Sequence, residues 1–68
     1  MGSVARITNI SARSDKGFDD AVQTGIDRAN QTLRNLQSAW VKEQTVVIRD
    51  GKPAVYRVNL NITFLLQD

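Results

Sequence analysis

The 68-residue sequence contains no cysteine and no histidine. The missing cysteine excludes disulfides, and the two absences together exclude metal sites built from thiolates and imidazoles. A domain of this length buries only about 60% of the surface that its unfolded chain exposes, so its own core gives limited stability. Because the usual cross-links are excluded, we expect association with other copies of the chain to stabilise the single domain, residues 1–68.

The sequence also lacks a cluster of basic residues and a long apolar run, and these two absences argue against nucleic acid and membranes as partners. Nine basic and seven acidic residues are spread along the chain, without the cluster of lysine and arginine that a nucleic-acid-binding surface needs. No apolar run approaches the roughly 20 residues of a membrane-spanning helix, and the N-terminus lacks the hydrophobic core of a signal peptide. We therefore expect a cytoplasmic protein that binds neither nucleic acid nor membranes.

The sequence also offers little for catalysis. Without histidine or cysteine, a serine nucleophile would need lysine or a carboxylate as its base, and no motif indicates such a pair. The four glycines do not form a phosphate-binding loop, and Asp15, Asp19 and Asp20 lack the alternating pattern of a calcium loop. These features predict a protein that is not an enzyme.

The middle of the chain has the periodicity of one long helix. Its apolar residues recur at spacings of three and four: Phe18, Ala21, Val22, Gly25, Ile26, Ala29, Leu33 and Leu36. The spacing predicts a helix over about 15–36, with Ser14 as its N-cap. Gly25 lies within the apolar face at a cost in helix propensity, which indicates a close approach to another backbone or a strand.

The C-terminal third predicts a β-hairpin. From Tyr56 to Leu66 every second residue is apolar, and the other side of the alternation carries the polar residues Arg57, Asn59, Asn61, Thr63 and Gln67, which is typical of a strand with one buried face. The preceding run "SAWVKEQTVVIR" is also strand-like, and Asp50-Gly51 is a hairpin turn signal. The opening "VARITNIS" is a weaker strand whose position in the sheet its pattern does not determine. The predicted fold class is α+β, in the order β-α-β-β.

A two-residue turn at Asp50-Gly51 predicts which residues lie opposite each other in the hairpin. Position numbers of opposed residues then sum to 101, which pairs Val41 with Leu60, Ala39 with Ile62, Trp40 with Asn61 and Glu43 with Val58. Trp40, together with Ser38 and Val46, is thus expected on the sheet face that carries Arg57 and Asn59. Glu43 is expected on the helix-covered face near Arg28 or Arg34, as a salt-bridge residue more readily than a metal ligand.

One helix can cover only one face of the sheet. The other face would mix polar groups with Trp40 and form a sizeable exposed apolar patch on a lone chain. We therefore expect it to meet other subunits or a ligand. A partly exposed tryptophan that closes the end of one subunit's core is an equally simple interpretation of the residues alone.

Three segments resemble the dodecin family. The helix start Ser14-Asp15-Lys16-Gly17-Phe18 is similar to the family's T-S-x-x-G/S start, and "AVQTGIDRANQTLRNL" resembles its A-I-x-x-A-I-x-R-A-x-x-T-L-R-x-L helix. The ending "YRVNLNITFLL" matches its third strand. The resemblance implies a strongly bent three-stranded antiparallel sheet wrapped around the helix, in a hollow homododecamer. It also implies storage of riboflavin, lumichrome, FMN or FAD at subunit contacts, through a stacking tryptophan and a hydrogen-bonding glutamine.

The chain departs from this pattern at both ligand positions. The family's stacking tryptophan falls on Ser38 and its glutamine falls on Arg57, whereas Trp40 stands two residues after the expected ring. We therefore predict a ligand site made of Ser38, Trp40, Arg57 and Asn59. The family's cation-linked acidic position falls on Glu43, which makes a divalent cation the alternative ligand. A small protein-interaction module that uses the open sheet face around Trp40 is the alternative function.

Overall fold

The structure is a computed structural model that describes residues 2–66. Its elements are β1 (Ala5–Ser14), α1 (Phe18–Thr32), β2 (Leu36–Arg49) and β3 (Lys52–Leu65), which confirms the predicted β-α-β-β order. The three strands form one antiparallel sheet in the order β1-β3-β2, so the first strand lies beside the last. Gln67, predicted at the end of the last strand, lies outside the described residues. No helix within residues 2–66 has the length and apolar character needed to cross a membrane.

The helix begins later than predicted because the chain stays in β1 until Ser14. Gly17, rather than Ser14, is the N-cap of α1, so the predicted cap was wrong. Ser14 nevertheless contacts the helix: its buried hydroxyl donates to Asp20 Oδ2 at 2.6 Å and accepts from the Lys16 N–H at 2.9 Å. The side chain therefore joins the end of β1 to the first turn of α1.

The helix also ends earlier than predicted. Leu33 has an extended backbone and Asn35 has a φ of 60°, so the chain turns before Leu36 enters β2. Leu33 and Leu36 still pack against the buried core, as their apolar character predicts. Their spacing continued the helical period by coincidence, because both a helix and a following strand can bury a side chain in the same core.

The core lies between α1 and the central strand. Ala21 and Ala29 of the helix pack on Val58, Leu60 and Ile62 of β3, and all five are buried. Small helix residues allow the axis to approach the sheet closely. A Cβ added at Gly25 would lie 3.0 Å from Leu60 Cδ1 and 3.2 Å from Ala12 Cβ, so the predicted close approach at this glycine is confirmed.

The hairpin turn is confirmed as two residues. Asp50 and Gly51 have φ values of 53° and 75°, the left-handed conformation that a tight turn of this kind requires, and Arg49 pairs with Lys52. The predicted pairs of Val41 with Leu60 and of Ala39 with Ile62 are also present. The register predicted from the two-residue loop therefore holds next to the turn and again at Val41 and Ala39.

Irregularities in β2 and β3 change the register between these points. Counted from the turn, Ala54 is an extra residue of β3 between the pairs Ile48–Pro53 and Val47–Val55, so Glu43 lies opposite Asn59 instead of Val58. The predicted helix-side position of Glu43 was therefore wrong. The same shift leaves Val46 opposite Tyr56, so its predicted position beside Trp40 was also wrong. A second irregularity, the extra residue Lys42 of β2, restores the predicted register at Val41.

Candidate functional site

The candidate site lies on the sheet face that α1 does not cover, here called the open face. Val58, Leu60 and Ile62 point towards the helix, and because side chains alternate along a strand, the residues between them point away. Paired residues of neighbouring strands share a face. The open face accordingly carries Ile7, Asn9, Ser11 and Arg13 of β1, Arg57, Asn59, Asn61 and Thr63 of β3, and Ser38, Trp40, Glu43 and Thr45 of β2.

Three of the five predicted site residues meet on this face. Glu43, Arg57 and Asn59 line a depression of about 160 Å³ together with Ser11, Thr45 and Val58, here called the Arg57 depression. Glu43 lies on the same face as Trp40, which stands three positions earlier in β2, because the extra residue Lys42 interrupts the alternation of side chains between them. The depression thus combines a guanidinium, a carboxylate and an amide within one small concavity.

A row of asparagines adjoins the depression. Asn9 Nδ2 donates to Asn59 Oδ1 at 2.7 Å and to Asn61 Oδ1 at 2.8 Å. Since the Asn59 carbonyl oxygen faces Asn9, its amide nitrogen is turned the other way and can donate to a ligand. The sequence did not identify Asn9, because the neighbour of β1 was unknown; its position in the alternation of "VARITNIS" was the only signal.

Trp40 lies on the same face, one pair of residues further along the strands. Its side chain is 63% exposed, and it stands opposite Asn61, next to the pair formed by Glu43 and Asn59. Lys42 Nζ lies 5.9 Å from the centroid of the indole ring, within the range of a cation–π interaction. The ring is therefore available as a stacking surface, and a planar ligand on the same side would compete with the Lys42 ammonium group.

Ser38 is a predicted site residue that lies far from the Arg57 depression of the same chain. It pairs with Thr63, six residues along β3 from Arg57, which corresponds to about 20 Å at ~3.3 Å per residue. Its surroundings differ too: it borders a cleft of about 340 Å³ between β2 and α1, with Ile26 and Asn30 on the helix side. One small ligand cannot touch Ser38 and Arg57 of the same chain.

The chemistry of the Arg57 depression favours a polar organic group over a metal ion. Within residues 2–66, no three His, Cys, Asp or Glu side chains are grouped so that they could hold a metal ion. Glu43 contributes one carboxylate, and the hydroxyl and amide oxygens nearby are ligands that calcium accepts. The Arg57 guanidinium lines the same depression and repels a cation, but it pairs readily with a carbonyl or an anionic oxygen.

Comparisons with known proteins agree with this architecture. The family model described as Dodecin matches residues 4–67. A dodecin from Thermus thermophilus is 32% identical over 68 residues, covering 100% of this chain and 99% of the relative. The solved dodecin from Streptomyces davaonensis has a TM-score of 0.93 at 35% identity, with 100% of both chains covered. The calcium-chelating calcium dodecin from Mycobacterium tuberculosis, with its novel calcium-binding site, has a TM-score of 0.82 at 23% identity, covering 96% of this chain and 93% of that protein. That last likeness shows the fold alone.

Proposed function

This chain belongs to the dodecin family, and on that premise we propose that it forms a hollow, non-enzymatic homododecamer that sequesters a small flavin-type ligand at subunit contacts. The ligand would be held on the open face, where the Arg57 depression and Trp40 lie. The cytoplasmic location and the absence of catalysis stay predictions from composition.

The observation that carries the proposal is the composition of the open face. It combines a 63% exposed indole ring with a guanidinium, a carboxylate and amide groups on regular strands. Exposed aromatic area next to fixed polar groups is typical of small-molecule sites, which use a few polar atoms to orient a mainly apolar ligand. Because Ser38 lies about 20 Å from Arg57, a site that contains both must combine two copies of the chain.

The residues suggest how a flavin ring would bind. Trp40 offers a stacking surface, Arg57 and Asn59 can donate to ring carbonyl oxygens, and Glu43 can accept from a ring N–H. This arrangement replaces the family's ring at the position of Ser38, and stacking on an aromatic ring contributes about 1–3 kcal/mol. We therefore expect riboflavin, lumichrome, FMN or FAD to depend on Trp40. A divalent cation at Glu43 is the less favoured ligand, since Arg57 opposes it.

Native mass spectrometry tests the assembly. The expected species has twelve times the 7.6 kDa mass of the chain. A species with the mass of one chain would reject the shell, and it would favour the interaction module that uses the face around Trp40.

A flavin titration tests the ligand separately. Riboflavin or lumichrome fluorescence should be strongly quenched on binding, because stacking on an indole ring quenches it. Trp40→Ala should weaken binding by about 1–3 kcal/mol, whereas Trp40→Phe should retain part of the stacking. Equal affinity of both variants and of the unmodified protein would remove Trp40 from the site. Calcium binding that Glu43→Gln abolishes, without flavin binding, would favour the cation.

A further inference from the structure

A second concave surface lies between β1 and α1, outside the Arg57 depression. This surface, here called the β1–α1 groove, has a volume of about 560 Å³, within the usual range of small-molecule sites. Its apolar lining comes from both elements: Ile10 and Ala12 of β1, Ala29 in the C-terminal half of α1, and Leu33 directly after the helix. The groove therefore offers an apolar surface to a ligand of ordinary size.

The charges along the groove have one sign. Arg28 lines it from α1 with an exposed side chain, whereas Arg13 borders it only at the edge of β1, because the pairing with Arg57 places the Arg13 side chain on the open face. Among the described residues that line the groove, none is acidic. The helix supplies no acidic partner to Arg28 either, because the residues three and four positions away are Thr24, Gly25, Gln31 and Thr32.

Hydroxyl groups complete the polar side of the groove. Thr24 and Thr32 lie one helical turn before and after Arg28, and both line the groove. Their hydroxyls can donate to the oxygens of a carboxylate or a phosphate beside the guanidinium.

We propose that the β1–α1 groove binds a small amphipathic anion, namely an organic carboxylate or phosphate ester with an apolar body. The anionic group lies beside Arg28, Thr24 and Thr32, and the apolar body lies along Ile10, Ala12 and Ala29. This site does not involve the open-face ligand, so it stands or falls independently of flavin binding.

Isothermal titration of the assembled protein with four probes of matched chemistry tests the site. Hexanoate and hexyl phosphate carry both features and distinguish a carboxylate from a phosphate ligand, hexanol lacks the charge, and inorganic phosphate lacks the apolar body. We expect at least one of the two amphipathic anions to bind with one site per chain. Hexanol should bind at least about tenfold more weakly, because hydrogen bonds to charged groups are the stronger ones. Inorganic phosphate should also bind more weakly than hexyl phosphate.

Variants assign the binding to the groove. Arg28→Gln should reduce the affinity about tenfold, and Arg28→Lys should retain part of it. Arg34→Gln is the matched control, because it removes the same charge from a residue that does not line the groove. Three results would overturn the proposal: no saturable binding of either anion, hexanol binding as tightly as hexanoate, or equal effects of Arg28→Gln and Arg34→Gln. The first of these would be the result if another copy of the chain covers the groove.

Discussion

Replacing Gly25 with alanine sets two opposing effects against each other. Alanine in a helix interior is favoured over glycine by about 1 kcal/mol, so propensity alone predicts a more stable protein. The added Cβ would however lie 3.0 Å from Leu60 Cδ1, 3.2 Å from Ala12 Cβ and 3.4 Å from Ile10 Cδ1. Leu60 is fully buried and has little room to move. Overpacking of a dense core costs about 1–3 kcal/mol, so we expect Gly25→Ala to lower the free energy of unfolding by about 1 kcal/mol.

A double-mutant cycle with Leu60→Val isolates the cause. Valine is shorter and removes the Cδ1 contact at 3.0 Å, so Gly25→Ala should be neutral or stabilising in that background. Urea unfolding of the four proteins at one chain concentration measures the coupling, since the stability of an oligomer depends on concentration. A Gly25→Ala variant of otherwise unmodified sequence that gains the full ~1 kcal/mol of helix propensity would refute the reasoning.

Three further predictions concern local contacts, each measured by urea unfolding at one chain concentration. Gly51→Ala should cost about 1–2 kcal/mol because its φ is 75°, whereas Gly51→Asn should cost less; equal losses would contradict a conformational cause. Asn9→Ala removes two exposed hydrogen bonds and should lower the free energy of unfolding by about 0.5–1.5 kcal/mol. An unchanged urea midpoint would show that these bonds contribute no more than hydrogen bonds to water. Ser14→Ala should cost about 1 kcal/mol and Ser14→Thr less, because threonine keeps the hydroxyl that bonds Asp20; the reverse order would exclude this bond as the cause.

Patterns of local origin predicted most of the fold. The helix face, the alternation in β3 and the turn at Asp50-Gly51 each depend on residues that are close in sequence, and the structure has all three. The ends of α1 were less predictable. Leu33 and Leu36 are apolar because they pack on the core, and that requirement is the same whether the backbone is helical or extended.

The candidate site was predicted in part, and the partial success has one physical cause. Trp40 was placed correctly opposite Asn61, because the two irregularities between it and the turn, Ala54 in β3 and Lys42 in β2, cancel. Glu43 was placed on the wrong face because Ala54 adds one residue to β3 between the turn and Glu43, and a shift of one residue moves a side chain to the other face. Its roles with Arg57 and Asn59 stay predictions.

The element order, the two-residue turn and the apolar faces of α1 and β3 could be predicted from the sequence, because helix and strand periods and positive φ values are local properties of the chain. The pairing of β1 with β3, the hydrogen bond from Asn9 to Asn59 and the position of Arg13 opposite Arg57 depend instead on how the folded strands meet. Those contacts join residues more than forty positions apart, and their register depends on every bulge in the strands that carry them. The spacing of residues along the chain does not show where a bulge shifts the pairing of two strands. The grouping of Glu43, Arg57 and Asn59 is therefore apparent only in the folded sheet.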